Sequence, residues 1–150
     1  MTLQNLAGIG RLKPHSASAL ELRRLLESAA ASIADAKRKD NHPNSRLDLG
    51  YKALMQCALA ALMANGFRPS TSEPGHQQTT LQTLPKTLGL PAEKVRLFDS
   101  FRRARNLADY EGDPVEERLL RECVQAAESL LVEVRTWMKK NRPDVVTAAG

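Results

Sequence analysis

Apolar residues recur along most of this chain at steps of three and four, the spacing that lines one side of an α-helix. Leu22, Leu25, Leu26, Ala29, Ala30 and Ile33 follow that rule, while Glu21, Arg23, Arg24, Glu27 and Ser28 lie off the stripe. The pattern predicts a first long helix from Ser16 or Ser18 to about Lys39, with Ser18 and Glu21 at capping-box spacing. The Asn-His-Pro-Asn turn at 41–44 ends it. A second helix is predicted from about Ser45 to Asn65, with Gly66 as its stop. From Ala53 to Ala64 it is apolar nearly all round, which requires burial on more than one side. A bundle this small is expected to need a second subunit to cover the extra face, so the pattern predicts a homodimer.

Residues 66–76 read as a loop by composition, and a short helix from about Gln77 to Thr87 is expected to be distorted or ended by Pro85. Pro91 suits the first turn of the next long helix, which carries Val95, Leu97, Phe98, Phe101, Ala104 and Ala108 on one side and stops near Tyr110. Asp113 is placed to cap the last helix, with Pro114 at its first position. Leu120, Cys123, Val124, Ala127, Leu130, Leu131, Val134, Trp137 and Met138 form its near-heptad seam, to about Asn141. Residues 1–15 read as an irregular lead-in and Pro143 to Gly150 as a mobile tail. Strand signals are absent. The expectation is an all-α fold, an antiparallel four-helix bundle with an additional short helix, forming one domain.

Composition supports that class. The chain has 150 residues, enough for one core without disulfides or metals. Aromatics make up only 4%, which favours helices over sheets. No uninterrupted apolar run has bilayer length, and no cationic segment followed by an apolar stretch opens the chain, so a cytoplasmic location is expected. Cys57 and Cys123 read as reduced core thiols without metal-ligand spacing. The net charge of +5 permits contact with nucleic acid but equally serves solubility.

Chemistry concentrates in one segment, Phe98 to Tyr110, which holds Arg102, Arg103 and Arg105, then Asn106, Asp109 and Tyr110. At about 100° per residue, Arg102, Arg105 and Asp109 fall within about 60° of one another, beside the apolar seam. Arginine there suits bidentate grip of phosphate, whereas Arg105 and Asp109 also have ordinary ion-pair spacing. His15 and His42 read as solvated surface residues, and His76 opens a helix after the loop. No two histidines have metal-ligand spacing, and no phosphate loop or nucleophile elbow occurs.

The stretch Arg105-Asn106-Leu107-Ala108-Asp109-Tyr110, late in a helix and followed by a breaker and a long final helix, resembles the HEPN superfamily (higher eukaryotes and prokaryotes nucleotide-binding). The resemblance extends over roughly residues 16–140 in helix number and order. It implies a dimer whose motif helices meet at the interface, and no cofactor or metal. It assigns Arg105 to the motif arginine and Asn106 to the residue that commonly follows. Tyr110 stands where the motif histidine is most often found, and the Ala-Asp-Tyr ending is similar to a branch lacking that histidine. Tyrosine, with an ordinary pKa of about 10, is a poor general base at neutral pH.

Three functions follow. The first is a dimeric module that binds RNA or a nucleotide through Arg102, Arg103 and Arg105, with Asn106 and Tyr110 adding hydrogen bonds or stacking. It would lack ribonuclease activity and belong to a toxin–antitoxin or defence system. The second is a non-catalytic partner of a nucleotidyltransferase or toxin. The third is a metal-independent ribonuclease in which Arg105 steadies phosphorane charge and Tyr110, His76 or Asp109 moves protons.

Overall fold

The computed structural model describes residues 2–72 and 74–147. The chain is all-α apart from one two-stranded ribbon: α1 Leu3–Gly8, β1 Leu12–Pro14, α2 Ala19–Ala36, α3 Pro43–Ala64, β2 Phe67–Pro69, α4 His76–Gln82, α5 Leu84–Thr87, α6 Ala92–Glu111, α7 Glu117–Asn141 and α8 Pro143–Thr147.

Local chemistry explains the boundaries. Ser18 caps α2 in a reciprocal capping box with Glu21. His15, expected in water, is half-buried, and its Nε2 lies 2.8 Å from Glu21 Oε2, extending the cap by one group. Pro43 opens α3 behind an imidazole cap, His42 Nδ1 accepting from the Asn44 N–H at 3.1 Å. Arg46 Nε donates to the Ala36 carbonyl at 2.7 Å, so α3 closes the C-terminus of α2. Pro85 splits the expected short helix into α4 and α5. Pro91 sits just outside α6 as its cap instead of in its first turn. Glu116, not Asp113, precedes α7: residues 113–115 form no regular structure and Glu116 itself is extended.

The hub is α3. It packs against α2 and α7 most extensively and also touches α6, α4, α5 and β2. Most of its apolar girdle is thus covered by its own chain, while Met55, Leu59, Met63 and Ala64 stay half-buried. The insertion of β2, α4 and α5 folds back over the face that the periodicity left open. By length and composition α3 resembles a membrane span, yet 61% of its most apolar window is buried within the fold, as in a core helix. Gly50 sets its closest approach: a Cβ there would stand 3.3 Å from Cys123 Sγ and 3.5 Å from Val124 Cγ2 on α7. Both cysteines are fully buried and free, and burial pushes each thiol up to about 12, so both stay protonated.

Two terminal expectations are corrected. The supposed lead-in forms α1, capped by Thr2 and Asn5, followed by β1, which pairs antiparallel with β2 in the register Leu12↔Pro69, Lys13↔Arg68, Pro14↔Phe67. The supposed tail forms α8, whose Val145 is 2% exposed and joins the core. Arg142 anchors it, donating to the Ala17 carbonyl at 3.2 Å and pairing with Asp144 at 2.9 Å. Residues 148–150 lie outside the described residues. Leu97, assigned to the apolar side of α6, is 40% exposed, while Phe98, Phe101 and Ala108 are buried.

Gly50→Leu should lower stability by about 1–3 kcal/mol through overpacking of the α3–α7 contact, read from the urea midpoint. An unchanged midpoint would mean that the helices separate without cost.

Candidate functional site

Along α3 the polar residues Asp48, Tyr51, Lys52 and Gln56 are spaced by three and four, so they share one side of an otherwise apolar helix. That side faces β2 and α4 across a groove of about 490 Å³, whose walls include Tyr51, Met55, Leu59, His76 and Gln77, with Lys52 also lining it and Arg105 the one contribution of α6. Its size falls in the range of small-molecule sites, about 300–1,000 Å³.

Arg105 is held from three directions. Its Nε lies 3.2 Å from Asp109 Oδ2 and 3.4 Å from Asp48 Oδ1, and its guanidinium carbon stands 5.6 Å from the centroid of the Tyr51 ring. Tyr51 is buried and donates from its hydroxyl to Gln77 Oε1 at 2.9 Å, tying α3 to α4. Burial pushes the Tyr51 hydroxyl up to about 12, although Arg102 and Arg105 pull the other way, so it remains a donor throughout the neutral range.

One turn earlier, Arg102 Nε contacts Asp99 Oδ1 at 2.7 Å, and Arg103 reaches the same carboxylate at 3.8 Å. Arg102 and Asn106 line a smaller depression with His76, Gln77 and Gln78. Arg103 is 66% exposed on its side chain and borders a separate hollow with Asp99. Of the sequence candidates, the structure therefore gathers Arg102, Arg105, Asn106, Asp109 and His76 into one neighbourhood. Tyr110 does not join it. Five residues beyond Arg105 it is turned by about 140° around the helix, is 84% exposed, and lines neither of the two depressions that hold Arg102 and Arg105.

Asp48, Tyr51, Lys52 and Gln77 were not among the expected site residues. The polar stripe on α3 was the available signal for the first three, whereas Gln77 is brought in only by the fold of the insertion. Among the described residues, no three His, Cys, Asp or Glu side chains gather where a metal ion could be held.

The arginines are charge-paired, so any phosphate bound here must share them with carboxylates or displace them. No family model, curated protein or solved structure matches this chain.

Asp48 shows the strain of that crowding. Burial raises its carboxyl above the ordinary value, the charge of Asp109 adds to the rise, and Arg105 opposes it. A carboxyl raised in the folded state favours folding fully below its unfolded pKa, and that contribution is lost as pH rises through the folded pKa. Asp48→Asn, which fixes a neutral side chain, should match the parent in urea midpoint near about pH 3 and exceed it at about pH 7. A less stable variant at neutral pH would show that the Asp48–Arg105 pair outweighs the crowding.

Proposed function

We propose that this protein is a HEPN-like module that binds RNA or a nucleotide, acts as a homodimer in the cytoplasm and lacks ribonuclease activity, within a toxin–antitoxin or defence-type system. The observation that carries the reading is the convergence of Arg102, Arg105 and Asn106 from α6 with His76 and Gln77 from α4 around adjoining depressions. Arginine offers phosphate a planar pair of donors, and Asn106 and Gln77 supply the amide groups that read base edges. The apolar walls Met55 and Leu59 suit the face of a base. The absence of Tyr110 from these depressions, and its poor fit to proton transfer at neutral pH, favour binding over cleavage. The same α6 leaves Leu97, Leu107 and Tyr110 exposed, surface that a second copy of this antiparallel four-helix bundle would cover.

A second reading has its own support. Arg105 sits between Asp48 and Asp109, and Arg102 rests on Asp99, an arrangement that also serves a purely structural partner of a nucleotidyltransferase or toxin.

Fluorescence polarisation with labelled single-stranded RNA and labelled nucleotides separates the two. Arg102→Ala with Arg105→Ala should weaken binding by about tenfold or more while the helical circular dichroism is kept. The parent should leave the RNA intact in the absence of metal and run at twice the chain mass in light scattering. Unaltered affinity in the double variant overturns the binding reading, and metal-free cleavage abolished by Arg105→Ala replaces it with the ribonuclease.

A further inference from the structure

Arg102, Arg103 and Arg105 of α6 are paired with carboxylates, but a second group of cations close by is not. Arg11, Lys13 and Arg68 belong to the β1–β2 ribbon or adjoin it, all three are exposed, and among the described residues none pairs with a carboxylate. The pleat explains their placement. Leu12 turns inward at 2% exposure, which sends Lys13 outward, and on the other strand Arg68 alternates with the half-buried Phe67 and Pro69.

Lys13 and Arg68 are direct register partners, two like charges facing each other across an antiparallel pair. Such a pairing destabilises a sheet. A ribbon of three residues per strand has little to offset that cost, so the fold alone gives no reason for it.

The ribbon also meets the groove. Pro69, on the ribbon face opposite Lys13 and Arg68, lines the large groove, and Arg11 lines a polar hollow with Ser70 and His76 that links the cationic face to it. His76 borders that hollow, the large groove and the depression of Arg102 and Asn106, so the three adjoin at one residue.

We infer that the ribbon is a second anchoring surface of the same site, continuous with the groove past His76, and that the ligand is a single-stranded RNA longer than one nucleotide. This rests on the proposed binding function and adds its ligand class. The unpaired ribbon cations supply the long-range attraction and the release of counterions from the strand. The carboxylate-held arginines of α6 fix position and contribute less net charge. A mononucleotide reaches the groove alone, whereas a longer strand runs from the groove over the ribbon.

The test is a length series of labelled oligouridylates, from mononucleotide to octamer, bound to the parent and to the triple variant Arg11→Gln, Lys13→Gln, Arg68→Gln. The parent should bind more tightly as length grows and then level off. The triple variant should hold the mononucleotide as the parent does and lose the gain with length, about tenfold for the octamer. Its salt dependence should weaken too, the slope of log affinity against log salt falling by about 2 for three lost phosphate contacts. Because the substitutions are exposed and remove a like-charge pair, the urea midpoint should hold or rise, which separates lost binding from lost folding. Octamer affinity equal in parent and triple variant overturns the inference, and the groove reading then stands if Arg102→Ala with Arg105→Ala still abolishes binding. A parent that binds no RNA of any length but captures an acidic peptide through the ribbon overturns both in favour of a protein partner.

Discussion

The structure depends on the burial of one helix. α3 is apolar on most of its circumference, and an apolar helix is stable in water only if other surface covers it. The chain meets this demand itself. α2 and α7 cover two sides, and α6 with the folded-back insertion covers the rest. Gly50 lets α7 come close enough for Cys123 and Val124 to touch the α3 backbone region without a side chain between. What stays only partly covered is the side that carries Asp48, Lys52 and Gln56 around the buried Tyr51, and the groove runs along it.

The site follows from the same arrangement. α3 supplies a buried phenol and a carboxylate, α6 supplies the arginines, and α4 supplies His76 and Gln77. The Tyr51–Gln77 hydrogen bond joins two elements whose positions no local rule would relate. Arg105 lies over the Tyr51 ring with carboxylates on either side, so its conformation is fixed before any ligand arrives. Such preorganisation lowers the entropy lost on binding, while the carboxylates reduce the net charge a phosphate would meet. The ribbon shows the opposite balance, unpaired charge on an exposed edge.

Much of the helical part could be read from the chain because its signals are local. Ser18 with Glu21, Pro43, Pro85 and the seam of α7 each act within a few residues, and the structure agrees with them to within a turn. The ribbon could not be read, because strands of three residues that end in proline have too few positions to show alternation. Its partners are also more than fifty residues apart in sequence. α8 was hidden for a similar reason: only the docking of Val145 and the Arg142 contacts to Ala17 and Asp144 give it order. At the site, the helical spacing of Arg102, Arg105 and Asp109 was visible, and it places Arg105 beside Asp109. The pairing of Asp48 with Arg105 was invisible, because an ion pair between α3 and α6 depends on how those helices pack, which periodicity does not encode. The same limit applied to the coverage of α3 by the insertion, which is a tertiary fact.

The proposed binding of RNA is tested most directly by finding which residues an RNA strand touches. Photocross-linking of 4-thiouridine-substituted single-stranded RNA to the full chain, with the modified peptides identified by mass spectrometry, reads that directly. Binding as proposed should give adducts on the α3 stripe, on the segment around His76 and on the ribbon. Adducts confined to the exposed faces of α2 and α7, with none near Tyr51 or His76, would contradict it.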